Sequence, residues 1–355
     1  MKILYDYQLF CSQKFGGASQ YFYELIRNST GLFECELSGK YSENIYAQEL
    51  NFHKSFPIPF SFKGKWRLMN YLNKMDTVKK IKKEKIDIIH PTLYDPYIFR
   101  YRNIPVITTI HDMIYEKFPN YFPDAERMIQ YKKESIKKAN RINVNSEATR
   151  TDVLKYYPET EEKITVVYHA FSNNFFSYEE KKENYILFTG IRGGYKNFDR
   201  FVLAVAPILL KYDLQLICTG KEFDKTEISL LESENIIDRT ICKFASEKEL
   251  IELYAKALIF VFPSLYEGFG IPILEAFAAG CPALLSNQSS LPEIGGEAAV
   301  YFDPSSIEEM RSKMEKVITS PELQKELIKK GREQVKKFSW GKCTQNTMAV
   351  YKSLL

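Results

Sequence analysis

The 355-residue chain contains no Cys-x-x-Cys pair, and its six cysteines (Cys11, Cys35, Cys218, Cys242, Cys281 and Cys343) lie at least 24 positions apart. That spacing supplies neither a zinc site nor a compact disulfide framework, so reduced thiols are expected. Asp-x-Asp is also missing, which removes one common way of holding a divalent ion against a diphosphate, and no metal is expected. No apolar stretch, Ala204–Leu210 and Ala257–Pro263 among them, approaches the roughly 18 residues that span a bilayer. The opening MKILYDYQLF is too short and polar for a signal peptide and reads as a first strand, so a cytoplasmic setting is expected. Neither Gly-x-Gly-x-x-Gly after the first strand nor Gly-x4-Gly-Lys-Ser/Thr occurs, which argues against a dinucleotide fingerprint and a P-loop.

What is present is an ordinary globular composition, 45% hydrophobic and 26% charged, with enough chain for two separate cores. Charge is uneven. Residues 1–175 carry 26 Lys and Arg against 20 Asp and Glu, net +6, whereas residues 176–355 carry 23 against 25, net −2. Much of the excess lies in segment 61–85, where Lys63, Lys65, Arg67, Lys74, Lys79, Lys80, Lys82, Lys83 and Lys85 crowd around Trp66, Leu68, Met69, Tyr71 and Leu72. One reading is a solvated basic helix; the other is an amphipathic surface that rests on anionic lipid, each cation near the headgroups adding about 1 kcal/mol. No helix-turn-helix, RNA-recognition or zinc-finger signature accompanies the segment, so nucleic acid is not expected as a partner.

Short β-branched, apolar runs alternate with amphipathic stretches, the pattern of parallel sheets covered by helices. Strands are expected at Lys2–Tyr7, Ile86–His90, Pro105–Ile110, Ile142–Val144 and Ile164–Tyr168. The polar, aperiodic HAFSNNFFSYEEKKEN then breaks the alternation, which restarts at YILFTG and continues through Leu214–Thr219, Thr240–Lys243, Leu258–Phe262, Pro282–Leu285 and Ala299–Phe302. The expectation is an α/β chain of two doubly wound domains, 1–174 and 175–341, with ligands beyond the carboxyl ends of the strands.

Four constellations occupy such loops. In PSLYEGFGIPILEAFAAG, Pro263 ends an apolar strand and Pro272 suits the first turn of a helix that stops at Gly280. Gly268 and Gly270 let backbone approach a ligand, and amides entering a helix N-terminus favour anions. Glu267 in the loop and Glu275 in the first turn then point into one cleft, where carboxylates accept from sugar hydroxyls; the plainer reading is a solvated loop acid and an acid on the helix dipole. In YILFTGIRGGYKN, Gly190 and the Gly193–Gly194 pair precede a helix, and Arg192 and Lys196 are two cations able to neutralise a diphosphate, or two stray surface charges. In QKFGGASQYFYELI, Gly16 and Gly17 permit close backbone approach between the first strand and first helix. In VITTIHDMIYEKFP, His111 and Asp112 follow a strand directly, which raises His111 above His53, His90 and His169 as a functional histidine.

Together with VNSEATRTDVLKYY, VVYHAFS and SSLPEIGGEAAVYFDP, these stretches make the chain resemble the family-4 retaining glycosyltransferases of bacterial surface-polysaccharide type. The resemblance implies the GT-B fold, two Rossmann-like domains facing each other across a cleft, with an acceptor-binding N-terminal domain, a nucleotide-sugar-binding C-terminal domain, and a last helix, about 342–355, packing back onto the first. It implies that Glu267 contacts the transferred sugar, with the amides of Gly268, Phe269, Gly270 and Ile271 near sugar and phosphate, and that Glu275 accepts from ribose hydroxyls. Arg192 and Lys196 would clamp the diphosphate, Gly190 would flank it, and Gly16 and Gly17 would close on it from the other domain. His111 would lie by the reacting sugar, and the base near Phe244 and Ala245. In this family Arg and Lys are often five or more residues apart; here they are four apart, which leaves open which takes which phosphate. The implied activity is metal-independent, retaining transfer of a hexose, mannose or a relative, from a nucleoside-diphosphate sugar to a glycan or lipid-linked acceptor in lipopolysaccharide, O-antigen or capsule synthesis, without cofactor, at the inner face of the cell membrane. Two alternatives stay open: a two-lobed sugar-binding protein, against which the missing signal peptide and the two cations argue, and an NAD-dependent oxidoreductase, against which the missing glycine fingerprint argues.

Overall fold

A computed structural model describes residues 1–51, 54–57, 64–101, 103–176 and 181–355. His53 and the first residues of the basic segment, 61–63, lie outside the described residues. The chain divides into one unit of Met1–His169 with Ser339–Leu355 and a second of Ala170–Phe338. The first division falls before the expected 174/175 because Phe171 and Phe175 are already buried, Phe175 with its ring 6.0 Å from that of Tyr254. The second falls before 341/342 because Trp340, at the start of the last helix (Trp340–Lys352), sits 6.4 Å from Tyr21.

In the first unit β1 (Lys2–Tyr5), β2 (Glu34–Leu37) and β3 (Ile88–His90) form one parallel sheet in the order β2-β1-β3. β4 (Ile107–Ile110), β5 (Arg141–Val144) and β6 (Ile164–Val166) form another. A parallel bridge between Ile89 and Val106 joins them, giving the order β2-β1-β3-β4-β5-β6. Apolar residues such as Ile3, Leu4, Ile88, Ile107 and Ile142 are fully buried, as strands covered on both faces require. β2 was not expected: its sequence ECEL has no apolar run, and it holds an edge where Glu34 and Glu36 meet Lys2. Residues 6–7 are not strand, since Asp6 turns to accept from the Thr92 amide (2.8 Å) and its hydroxyl (2.9 Å).

In the second unit β7 (Glu183–Phe188), β8 (Gln215–Thr219), β9 (Thr240–Lys243), β10 (Ala257–Phe262), β11 (Ala283–Ser286) and β12 (Ala299–Phe302) are all parallel, in the order β12-β11-β10-β7-β8-β9. Helix Phe198–Tyr212 buries Phe198, Phe201, Val202 and Val205 against Ile186, Phe188 and Leu216 of this sheet. Strand order reverses between β7 and β10 here, and between β1 and β3 in the first unit. At such a reversal the two following loops diverge to opposite faces and leave a crevice at the carboxyl edge.

The last helix is tied to the first unit by a buried polar chain: the Tyr351 hydroxyl lies 2.7 Å from His90 Nδ1 and 2.8 Å from the Tyr5 hydroxyl. Replacing Tyr351 by Phe leaves both groups unpaired in the core and should cost about 1–3 kcal/mol. A fall in the urea midpoint of the wild-type transition is the expected result; an unchanged midpoint would show that the chain carries no stability.

Candidate active site

In the second unit the loops after β7 and β10 flank the reversal and are laced together. Asn197, in left-handed conformation (φ 60°), donates through Nδ2 to the carbonyls of Pro263 (3.1 Å) and Pro304 (2.8 Å), and the Leu265 amide donates to the Tyr195 carbonyl (2.8 Å). This lacing brings Lys196 Nζ to 2.6 Å from Glu267 Oε1, with both side chains mostly buried and the ammonium 5.2 Å from the Phe262 ring. Beyond Glu267 the loop is clamped from the next connection. The Glu267 amide donates to Ser289 Oγ (2.9 Å), and Ser290 Oγ donates to the carbonyls of Glu267 and Phe269, both at 2.9 Å. Gly270 caps helix Ile271–Ala278 with φ 108°, a conformation that favours glycine, and a Cβ there would also have to displace the tip of Ile273 (Cδ1 at 2.8 Å).

Glu275 lies past the first turn of that helix, a correction to its expected place, and accepts from the Tyr254 hydroxyl (3.3 Å), which also meets Thr189 Oγ1 (3.1 Å) at the end of β7. Gly190 follows with φ 98°. Lys196, Glu267, Glu275, Gly190 and the 268–271 backbone thus gather around the β7/β10 reversal. Phe244 and Ala245 lie just past edge strand β9, where Phe244 is 74% exposed at the mouth of a 520 Å³ groove that runs along helix Glu247–Lys256.

Arg192 bonds to a different set of groups from Lys196. Its Nε donates to Glu227 Oε1 (2.8 Å), its Nη2 to the carbonyls of Lys221 (2.5 Å) and Glu222 (3.0 Å), and its guanidinium sits 4.6 Å over the Phe223 ring. Glu227 belongs to helix Lys225–Ser233, an element that the sequence reading passed over although its capping box, Asp224 with Glu227, is legible in the sequence.

The remaining expected residues belong to the first unit. Gly16 adopts φ 156° and precedes helix Gly17–Arg27, whose first turn contains Gly17. His111 follows β4 and lines a groove of about 740 Å³. Its backbone is pinned: the amide donates to the Tyr94 hydroxyl (3.4 Å) and the carbonyl accepts from Asn145 Nδ2 (2.8 Å). Both ring nitrogens have no hydrogen-bond partner, and burial pushes the imidazole down to about 4, so it is neutral at pH 7. Two neighbours escaped the sequence reading. Lys132 is fully buried and donates to the Asp112 carbonyl (3.0 Å) and Glu116 Oε2 (2.9 Å), and His169 stacks on Tyr21 (4.4 Å) with its ring 5.4 Å from His111. A lysine in a run of helix cations gives no sign of being buried. Among the described residues, no group of three or more His, Cys, Asp or Glu could hold a metal ion.

A parallel sheet with a Lys-Glu pair, a second acid and a glycine-capped helix at its strand-order reversal places the candidate site where the doubly wound α/β enzymes, as a class, bind their ligands. The comparisons narrow it. Residues 15–173 match the family described as Glycosyltransferase Family 4, and residues 171–334 match Glycosyl transferases group 1. The chain is 28% identical over 283 residues to the O-antigen chain mannosyltransferase B of Escherichia coli, covering 74% of this chain and 73% of that one. It is 28% identical over 219 residues to the O-antigen chain mannosyltransferase RfbU of Salmonella typhimurium, covering 60% and 61%. The crystal structure of Anabaena HepE with UDP and glucose superposes with a TM-score of 0.77 over 99% of both chains at 14% identity, a likeness of fold. The chain belongs to the family-4 glycosyltransferases, with the GT-B fold in two Rossmann-like halves.

Burial pushes the Glu275 carboxyl up to about 7 from 4.5, against the Tyr254 hydroxyl bond that favours its ionised form. The native protein therefore holds a proton that the unfolded chain releases between pH 4.5 and 7, and stability falls as pH rises through that window. Glu275→Gln should be no more stable than wild type at pH 4 but more stable at pH 8, by at most about 3 kcal/mol, less for whatever water reaches the carboxyl. Urea titrations at the two pH values check this, and an equal difference at both would contradict the assignment.

Proposed function

We propose that the chain transfers a hexose, mannose or a close relative, from a nucleoside-diphosphate sugar to a glycan acceptor with retention of anomeric configuration, in assembly of a bacterial surface polysaccharide. The observation that carries the reading is the Lys196–Glu267 pair at the β7/β10 reversal: one cation for a diphosphate and one carboxylate for sugar hydroxyls, 2.6 Å apart. The mannosyltransferase relatives favour mannose, and the neighbour that holds UDP and glucose favours a nucleotide sugar.

In this account the Lys196 ammonium shifts from Glu267 to the diphosphate as donor binds, and Glu267 becomes free to accept from the sugar. The bond from C1 to the diphosphate oxygen breaks with its electron pair going to that oxygen. The acceptor hydroxyl bonds to C1 on the same face and gives its proton to the departing diphosphate. Lys196 then matters most when charge on the leaving group peaks, a preorganised electrostatic role. Glu275 accepts from ribose hydroxyls, the base rests by Phe244 and Ala245, and the amides of 268–271 serve sugar and phosphate. Arg192 acts at one remove, bracing the 221–227 loop through Glu227. Gly16 and Gly17 attend the diphosphate, neutral His111 the reacting sugar and acceptor, and no metal or cofactor takes part.

Lys196→Ala should lower kcat by about 100-fold while raising the dissociation constant for intact donor by less than about fivefold. Equal losses in turnover and affinity, from single-turnover kinetics and calorimetry, would contradict the transition-state role.

Membrane contact has its own support. Helix Lys65–Lys83 buries Met69, Asn73, Thr77 and Ile81 and leaves Leu68, Met75, Lys79 and Lys82 along its exposed ridge. No helix among the described residues is long and apolar enough to cross a membrane, so this ridge would lie on the surface. Flotation with vesicles containing anionic lipid, lost when Lys79 and Lys82 become Glu, is the expected result; no binding by wild type would remove the membrane from the account.

A further inference from the structure

The groove that His111 lines runs from the carboxyl edge of β1 and β3, the reversal point of the first unit, to helix Lys65–Lys83. At about 740 Å³ it has the size of a site for a ligand larger than one sugar ring. Resting on the glycosyltransferase reading above, we infer that this groove holds an uncharged oligosaccharide of at least two hexose units, with Trp66 and Tyr71 as the platform for the sugar next to the reacting one.

Three observations carry this. First, Trp66 and Tyr71 are 53% and 61% exposed although the helix has already met its packing need with the stripe Met69, Asn73, Thr77 and Ile81. Both line the groove, and open aromatic faces of this kind suit the C–H faces of a hexose. Second, the amide nitrogens of Gln13 and Asn70, two residues of the lining, are shielded from solvent and have no hydrogen-bond partner. A donor without an acceptor is costly to keep, and rotation of either side chain toward the groove would offer its N–H to a ligand hydroxyl. Third, among the described residues of the lining no cation is free. Lys74 meets Asp95 (3.4 Å) and lies 4.4 Å over the Tyr97 ring, Arg127 meets Asp124 (2.9 Å), and Asp112 is a third carboxylate, balanced only in part by buried Lys132 (3.9 Å), which also pairs with Glu116 (2.9 Å). A phosphate would enter a surface of net negative charge, so a lipid diphosphate must lie outside the groove. The acceptor is then read at its sugar end, remote from any carrier, and a monosaccharide attached directly to a diphosphate leaves the Trp66–Tyr71 platform empty.

The chain has two tryptophans, exposed Trp66 and buried Trp340, so an emission change that disappears in Trp66→Phe reports on Trp66. The test titrates the full chain with neutral hexose disaccharides and trisaccharides of several linkages, with the monosaccharides, and with a short-chain prenyl diphosphate. The expected result is a saturable emission change with at least one disaccharide or trisaccharide, lost in Trp66→Phe and needing about tenfold more sugar in Tyr71→Ala. Monosaccharides and the prenyl diphosphate should bind at least tenfold more weakly. No response to any neutral oligosaccharide, a response that survives Trp66→Phe, or tighter binding of the prenyl diphosphate would each overturn the inference. Nucleoside-diphosphate titration of the same samples reads the donor site in the second unit separately, so failure of the donor reading is distinguishable from failure of this one.

Discussion

The loops after β7 and β10 are held against one another by one asparagine, one backbone bond and one ion pair, and the candidate chemistry depends on that lacing. Asn197 is in a left-handed turn that frees its amide to reach the carbonyls of Pro263 and Pro304. β7 and β10 are neighbours whose connections leave in opposite directions, and this lacing brings Lys196 and Glu267 together. Their pairing also resolves an electrostatic problem. Two opposite charges, both mostly buried, are tolerable because each satisfies the other, and each is left ready for a ligand of complementary charge or hydrogen-bonding sense.

The same logic separates Lys196 from Arg192. Both are cations in one loop, four residues apart, yet Arg192 is enclosed by a carboxylate, two carbonyls and an aromatic ring. A planar guanidinium with five donors is well suited to bracing several acceptors at once, whereas an ammonium on a flexible stem can exchange one partner for another. Residue type thus divides the work, with Arg192 fixing the 221–227 loop and Lys196 facing the crevice. In the first unit a comparable division surrounds His111. Tyr94, Asn145, Asp112 and Lys132 fix its backbone neighbourhood, and the imidazole ring is left without a hydrogen-bond partner.

Much of this was legible in the sequence because it rests on local rules. Continuous apolar runs such as LIFVF mark buried parallel strands, Pro272 marks a helix start, and the glycines around Phe269 mark close backbone approach. The strands of the second half were expected within two residues of where they lie. What escaped the reading depends on long-range partners. β2 is charged and short and exists only because β1 offers it an edge. Helix Lys225–Ser233 had a capping box but no long apolar face, and without it the capture of Arg192 by Glu227 was invisible. Lys132 looked like one more surface cation, and His169 like a residue at a domain break, until the fold brought each beside His111. The lacing by Asn197 could not be read at all, since it depends on the lateral order of the strands.

The central claim is that the crevice at the β7/β10 reversal is a nucleotide-sugar donor site. Calorimetric titration of the purified chain with UDP, GDP, ADP, CDP and dTDP in the presence of a chelator tests it most directly, with Glu275→Ala run beside the wild type. The account predicts saturable binding of one nucleoside diphosphate without metal, and its loss in the variant. Absence of binding to the folded wild type, or equal affinity in the variant, would contradict it.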